Sequence, residues 1–183
     1  MMSTLNQIGY TQNFFPFSQS QLEQLKEIST EASYLTTEEQ KNIFEVFPIV
    51  KSFFDEAIKK SEFNLKLTQY CFFIEKNIHR NWPLLFHRDI NLPKYMNISE
   101  AEKENFLNNA VMFRLTLDSS NKDTGALKVI PYSHLGNMQS TKEVFIDTQE
   151  GEVIFFKPLL LHGSNRMKEN HQRRVFQALC IMN

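Results

Sequence analysis

His87 and Asp89 stand one residue apart, so on a β-strand both side chains leave the same face while Arg88 leaves the other. A second histidine, His162, ends the apolar run Gly151 to Leu161 far downstream. Two neutral imidazoles and one carboxylate on one face of a metal suit Fe(II), and they leave positions open for a chelating keto acid and for dioxygen. A His-x-Asp pair alone is short enough to recur by chance, and a lone histidine is more often a satisfied polar group than a ligand. His-Arg-Asp also occurs in protein-kinase catalytic loops, which need an Asn five residues after the Asp, a Gly-rich phosphate loop and an Asp-Phe-Gly element. Position 94 is Lys94 and the other two elements are absent from the chain, so that reading fails.

Convergence of three distant residues requires a scaffold that brings strands side by side. After Asn64 the sequence runs in short stretches rich in Phe, Leu, Ile and Val, separated by turn formers: 67–75, 84–88, 110–117, 126–130, 143–147, 152–156 and 173–181. Strands at that spacing predict an antiparallel sandwich or barrel. The first third reads as helical. Leu22, Leu25 and Ile28 recur at helical spacing, Thr37 with Gln40 makes a capping-box pattern, and Pro48 opens a helix with Ile49, Phe53, Phe54, Ala57 and Ile58 on one face. Residues 18–60 are therefore two or three helices packed outside a β-core that begins near residue 65, within one domain spanning 1–183. Ser99 with Glu102 marks another capped helix inside the long connection between the second and third strands, where lids over sites are often built.

Composition narrows the function. With 20 Lys and Arg against 21 Asp and Glu in 183 residues, no broad field gathers nucleic acid or an acidic membrane surface. Residues 1–10 carry neither a basic nor an apolar leader region, and no run of 18 apolar residues occurs, which points away from membranes. Cys71 and Cys180 lie in apolar strand-like stretches, as buried thiols of a reducing, cytoplasmic setting would. The 17 Phe against 5 Gly imply a core or a pocket built from large flat side chains.

Four blocks carry a resemblance. They are Phe72-Phe-Ile-Glu-Lys-Asn followed by Asn81-Trp-Pro-Leu-Leu-Phe-His-Arg-Asp89; Phe113-Arg-Leu-Thr-Leu-Asp118; Gly125-Ala-Leu-Lys-Val-Ile-Pro-Tyr-Ser-His134; and Gly151-Glu-Val-Ile-Phe-Phe-Lys-Pro-Leu-Leu-Leu-His-Gly-Ser164 with Arg173-Arg-Val175. In order and spacing they resemble the phytanoyl-CoA dioxygenase family over roughly residues 70–181. The resemblance implies a double-stranded β-helix (a jelly-roll, cupin-like core). It also implies His87, Asp89 and His162 as Fe(II) ligands, and Arg173 as the arginine that binds the far carboxylate of 2-oxoglutarate. A planar guanidinium offers that carboxylate two parallel donors, which lysine cannot reproduce. Arg174, its neighbour, is expected to face away from the interior.

Four further residues have two readings each. Ser164 matches a family hydroxyl used on the co-substrate, or is a turn serine. Arg114 either points inward, to bind 2-oxoglutarate or an acidic substrate, or lies on the outer sheet surface. Lys76 and Trp82 either line the pocket or are structural. The sequence departs from the family pattern at Phe86 (usually Trp), Arg88 (usually Gln) and Tyr132 (usually Gly). The last removes a residue suited to positive φ and predicts a differently built turn. None removes a ligand. His134 belongs to the family block without being a ligand, and His79 and His171 read as loop residues.

The implied activity is hydroxylation, or a related desaturation or cyclisation, of a small metabolite such as a free amino acid or a natural-product intermediate. 2-Oxoglutarate and O2 would be converted to succinate and CO2. Asp89 favours hydroxylation, since related halogenases lack that carboxylate. The competing classes are a non-catalytic ligand-binding β-barrel and a cupin-like metalloenzyme that does not use 2-oxoglutarate. Arg173, eleven residues past His162, discriminates best, because a plain cupin has no need of it.

Overall fold

The computed structural model describes residues 2–35, 43–61, 64–136 and 141–182. A helix α1 (Met2–Ile8) leads into strand β1 (Tyr10–Phe14), then helices α2 (Gln19–Ala32), α3 (Ile43–Val46) and α4 (Pro48–Lys60). The remaining strands are β2 (Leu65–Lys76), β3 (Leu84–His87), β4 (Ala110–Thr116), β5 (Leu127–Val129), β6 (Val144–Ile146), β7 (Glu152–Phe156), β8 (His162–Ser164) and β9 (Arg173–Met182). Helix α5 (Glu100–Asn109) precedes β4. Two antiparallel sheets form, one in the order β1-β7-β4-β9-β2 and the other β3-β8-β5-β6. Packed face to face they make the jelly-roll, a double-stranded β-helix with helices against its larger sheet.

Local sequence explains the helices. Ser18 and Gln21 cap α2 reciprocally, and Ser99 and Glu102 do the same for α5, so each satisfies orphan backbone donors at a helix start. Pro48 occupies the first turn of α4, where its missing N–H costs nothing. The buried face of α4 is Val50, Phe54 and Ala57. Ile49, expected there, is 46 % exposed, because the helix is rotated so that Val50 takes the inner position. The Thr37–Gln40 pattern lies outside the described residues. No described helix is long and apolar enough to cross a membrane.

Strand alternation splits the larger sheet into two chemistries. On β4, Val111, Phe113 and Leu115 face the helices, and on β9, Phe176, Ala178 and Cys180 do so. Phe54 of α4 packs against Phe176 with ring centroids 4.3 Å apart and edge-on to Phe113 at 5.5 Å. Phe113 in turn meets Phe155 at 5.5 Å. The abundant phenylalanine is therefore mainly helix-to-sheet core, each ring removing enough apolar surface to contribute about 1.5–3 kcal/mol. The two cysteines are free and buried in the same layer. Burial pushes the Cys71 thiol up to about 12, which makes it unreactive.

The face between the sheets is graded. Ala110, Met112, Ile154, Phe156 and Leu179 fill one end, and Leu92, Met96 and Phe106 from the long connection pack against them. Toward the other end the same face carries Arg114, Thr116, Gln177 and Arg173, all buried. On the helix side, Arg174 forms a fork with Asp118, Nε to Oδ2 and Nη2 to Oδ1 both at 2.8 Å. Its third nitrogen reaches the Lys26 carbonyl of α2 at 3.2 Å. The two neighbouring arginines thus point to opposite faces, as alternation requires.

Candidate metal centre

Strands β3 and β8 pair antiparallel with His87 directly opposite His162. The imidazole centroids are 4.3 Å apart. Asp89, just past β3, closes the group: its Oδ1 lies 3.5 Å from His87 Nε2 and its Oδ2 lies 3.4 Å from His162 Nε2. One donor atom from each of the three falls within 4.8 Å of the others.

The ring tautomers follow from the backbone. His87 Nδ1 is 2.9 Å from the Leu85 carbonyl and His162 Nδ1 is 2.9 Å from the Leu160 carbonyl. A carbonyl only accepts, so each Nδ1 carries a proton, and in the neutral ring each Nε2 presents a lone pair toward Asp89. Lone pairs facing a carboxylate need a cation between them. The buried Oδ2 of Asp89 has no hydrogen-bond partner among the described residues, consistent with a metal-directed oxygen. Residues and orientations therefore fit Fe(II). Asp89 holds His87 above the usual histidine range, whereas burial holds His162 below it, so His162 is the ligand more readily kept neutral.

Each ligand is fixed by its neighbours. The Asp89 N–H donates to the Pro158 carbonyl at 2.9 Å. Arg88, exposed on the other side, donates to the carbonyls of Leu159 at 2.8 Å and Ser133 at 3.1 Å, and so ties the segment before β8 to β3. Asn81 exchanges two hydrogen bonds with the backbone of Met167, 2.8 and 2.7 Å, clamping the approach to β3 against the exit of β8. His162 rests against Phe156 with centroids 4.8 Å apart. Between His162 and Ser164, Gly163 passes under β3 so closely that a Cβ there would sit 2.6 Å from the Leu84 carbonyl oxygen. Only glycine permits that approach, and without it His87 would be levered away from His162.

Beside the metal ligands lies a basic cradle. Lys76 Nζ donates to Ser164 Oγ at 2.8 Å and to the Trp82 carbonyl at 2.7 Å. Arg173, directly across the β2–β9 ladder from Lys76, donates to the Gly125 carbonyl, and its buried Nε has no partner among the described residues. Arg114 Nη1 donates to Gln177 Oε1 at 2.6 Å. Lys76 and Arg173 are each 2 % exposed and Arg114 5 %. Among the described residues none of the three forms an ion pair. Burial, then the charges of Arg173 and Arg114, brings Lys76 down to about 7; burial brings Arg173 to about 10 and, with Arg173's charge, Arg114 to about 9.

Of the eight residues weighed as ligands or pocket lining, all but Trp82 fall in one region of the interior. Arg114 resolves inward. Trp82 is 47 % exposed and contributes its carbonyl to Lys76, while its ring centroid lies 5.9 Å from Nζ. Phe86 packs under Lys128 Nζ at 4.5 Å. Tyr132 corrects an expectation: the turn is not rebuilt, for Tyr132 itself adopts φ 67°, held by its N–H on the Ile8 carbonyl at 3.0 Å. His79 is exposed, and His134 and His171 bond backbone carbonyls. Three contributors were missed from sequence. Gln177 was read only as part of a strand, while Asn81 and Gly163 were quoted in family-like blocks without a role, although a glycine wedged between a ligand and a hydroxyl is a readable signal.

Solved structures share the fold. The solved structure of the non-heme alpha ketoglutarate dependent carbocyclase SnoK from nogalamycin biosynthesis superposes with a TM-score of 0.74 at 15% identity, covering 98% of this chain and 81% of that one. HygX from Streptomyces hygroscopicus, solved with nickel and 2-oxoglutarate bound, gives 0.65 at 11% identity, covering 98% and 85%. EvdMO1 gives 0.67 at 16% identity over 98% of this chain, which spans only 49% of EvdMO1. At such identities the likeness is one of fold. No curated protein matches in sequence. The family model for Phytanoyl-CoA dioxygenase (PhyH) matches residues 12–175, nearly the whole chain, and the protein belongs to the phytanoyl-CoA dioxygenase family.

Proposed function

We propose that the protein is an Fe(II)- and 2-oxoglutarate-dependent oxygenase that hydroxylates a small metabolite, with His87, Asp89 and His162 as ligands. The observation that carries this reading is the juxtaposition of a two-histidine, one-carboxylate donor set with a buried guanidinium whose Nε lacks a partner. A metal site alone accounts for the first and a stable core for neither.

Arg173 would receive the far carboxylate of 2-oxoglutarate through two parallel N–H donors, with Ser164 Oγ and Lys76 Nζ completing the cradle. Taking up that dianion relieves the cost of buried unpaired cations, so the co-substrate stabilises the fold that binds it. When bound, Fe(II) and 2-oxoglutarate supply oxidative power by reducing dioxygen as the keto acid is decarboxylated to succinate and CO2. The chain's own residues then have three tasks. The carbonyls of Leu85 and Leu160 fix the imidazole tautomers. Asp89 occupies the position a halide would need, which favours transfer of hydroxyl. Leu92, Met96 and Phe106 seal the apolar end of the interior against water. The domain is proposed to be one functional unit over 1–183, with helices outside the barrel.

The test is spectroscopic. Fe(II) and 2-oxoglutarate added anaerobically are expected to give a visible charge-transfer band, and admitting oxygen then gives succinate. His162→Ala is expected to lose the band completely while keeping its circular dichroism. A wild-type protein without the band, or a His162→Ala protein that keeps it, sinks the oxygenase reading.

A further inference from the structure

The interior holds more positive charge than the proposed metal and co-substrate can answer. Fe(II), Asp89, the dianion of 2-oxoglutarate and one arginine, Arg173, together sum to zero. Lys76 and Arg114 are in excess. Lys76 has a way out, since two oxygens accept its hydrogens and it can either release its proton or keep it against the co-substrate carboxylate. Arg114 does not, because a guanidinium stays protonated at neutral pH.

The partner of Arg114 is informative. Gln177 lies directly across the β4–β9 ladder and holds one guanidinium nitrogen at 2.6 Å. A glutamate there would have made an internal ion pair and cancelled the charge. A glutamine orients the fork and leaves the charge intact. Arg114 also lies within electrostatic reach of both groups of residues, attracted by Asp89 and repelled by Arg173. It lies among the same buried cations as Lys76 and Arg173, but on β4 rather than on the β2–β9 ladder that sets those two opposite each other.

We infer that Arg114, oriented by Gln177, receives an acidic group of the molecule that is oxidised, so that the substrate is a small carboxylate. This rests on the oxygenase reading above. A planar anion matches the two-donor geometry of the fork and would neutralise a guanidinium whose side-chain partner, Gln177, is uncharged. A neutral metabolite would leave a buried cation without a counter-charge in the loaded enzyme.

The experiment uses the full chain loaded anaerobically with Fe(II) and 2-oxoglutarate, and a set of small monocarboxylates each paired with its primary amide. Binding is read as a shift of the charge-transfer band and turnover as succinate formed after oxygen is admitted. At least one acid is expected to bind about tenfold or more tighter than its own amide. Arg114→Gln removes that preference while the Kd for 2-oxoglutarate stays within about twofold. Gln177→Glu, which supplies an internal carboxylate and keeps the side-chain volume, removes it too and guards against a folding defect in the first variant. Equal binding of acids and amides, binding of neither, or a tenfold loss of 2-oxoglutarate affinity in Arg114→Gln each overturns the assignment. The last would put Arg114 on the co-substrate. Absence of the band in the wild type counts against the oxygenase reading itself, whereas a band without acid preference counts against this inference alone.

Discussion

The two faces of strands β4 and β9 run along the same backbone and differ in every respect that matters. The helix-facing side is Val111, Phe113, Leu115, Phe176 and Ala178, completely buried and close-packed around Phe54. The interior side ends in Arg114, Gln177 and Arg173, just as buried but charged. Burial is thus equal on both sides while its energetic sign is opposite. One face stabilises the fold by apolar burial; the other costs stability because it buries cations that have no ion-pair partner among the described residues. A period-two pattern lets one sheet serve as wall and as site without either interrupting the other.

That contrast can be broken by substitution. Phe176→Ala removes a ring that contacts Phe54 and Phe73, and is expected to cost about 3–5 kcal/mol, read by chemical denaturation. Arg173→Leu, three residues away on the other face, is expected to leave the metal-free protein as stable or more so, because an unpaired buried cation is gone. Its 2-oxoglutarate affinity is expected to fall by about 2–3 kcal/mol, measured by calorimetry. An Arg173→Leu protein that melts like Phe176→Ala would mean that the interior face is core after all.

Lys76 sharpens the comparison through pH. Its folded pKa is near 7, well under its unfolded value, so the unfolded chain holds a proton that the folded chain sheds as pH rises through 7. The metal-free fold therefore gains stability above pH 7 from this group. Co-substrate affinity runs the other way, because the far carboxylate favours a protonated Lys76, and weakens by at most about tenfold per pH unit. Lys76→Met is expected to flatten both profiles. The smallest effect belongs to Tyr132→Gly. Relief of left-handed backbone at φ 67° is expected to stabilise by about 1 kcal/mol, seen as a rise of a few degrees in Tm.

Legibility followed the same division. The helix-facing core was readable because alternating apolar residues over 110–117 and 173–181 have one interpretation as buried strands. Strand β1 was missed, since Tyr10–Phe14 is a half-exposed edge strand with polar Thr11, Gln12 and Asn13 inside it. Strand β8 was missed because it is three residues long, a histidine, a glycine and a serine with no apolar period to detect. The ligands emerged from the family resemblance around a His-x-Asp pair that is weak by itself, whereas the fate of Arg114 did not emerge from the sequence. Whether an arginine on a strand points in or out depends on which face the helices cover, and that is settled by packing rather than by its neighbours. Gln177 stayed hidden for a related reason: its meaning lies in its register partner, which no local pattern records.

The fork between Arg174 and Asp118 has a consequence for how the chain finds this arrangement. Positions 173 and 174 are both arginine, so a slip of β9 by one residue that carries Arg173 into the place of Arg174 would still put an arginine on the helix side at that point, with Gln172 in the interior. Everything beyond them would be inverted, with phenylalanine thrust into the site and glutamine into the helix-side core. Asp118 binds both the backbone N–H and the guanidinium of Arg174, donors that Arg173 would equally offer in that slot, so the alignment is decided by the apolar and polar residues beyond the pair.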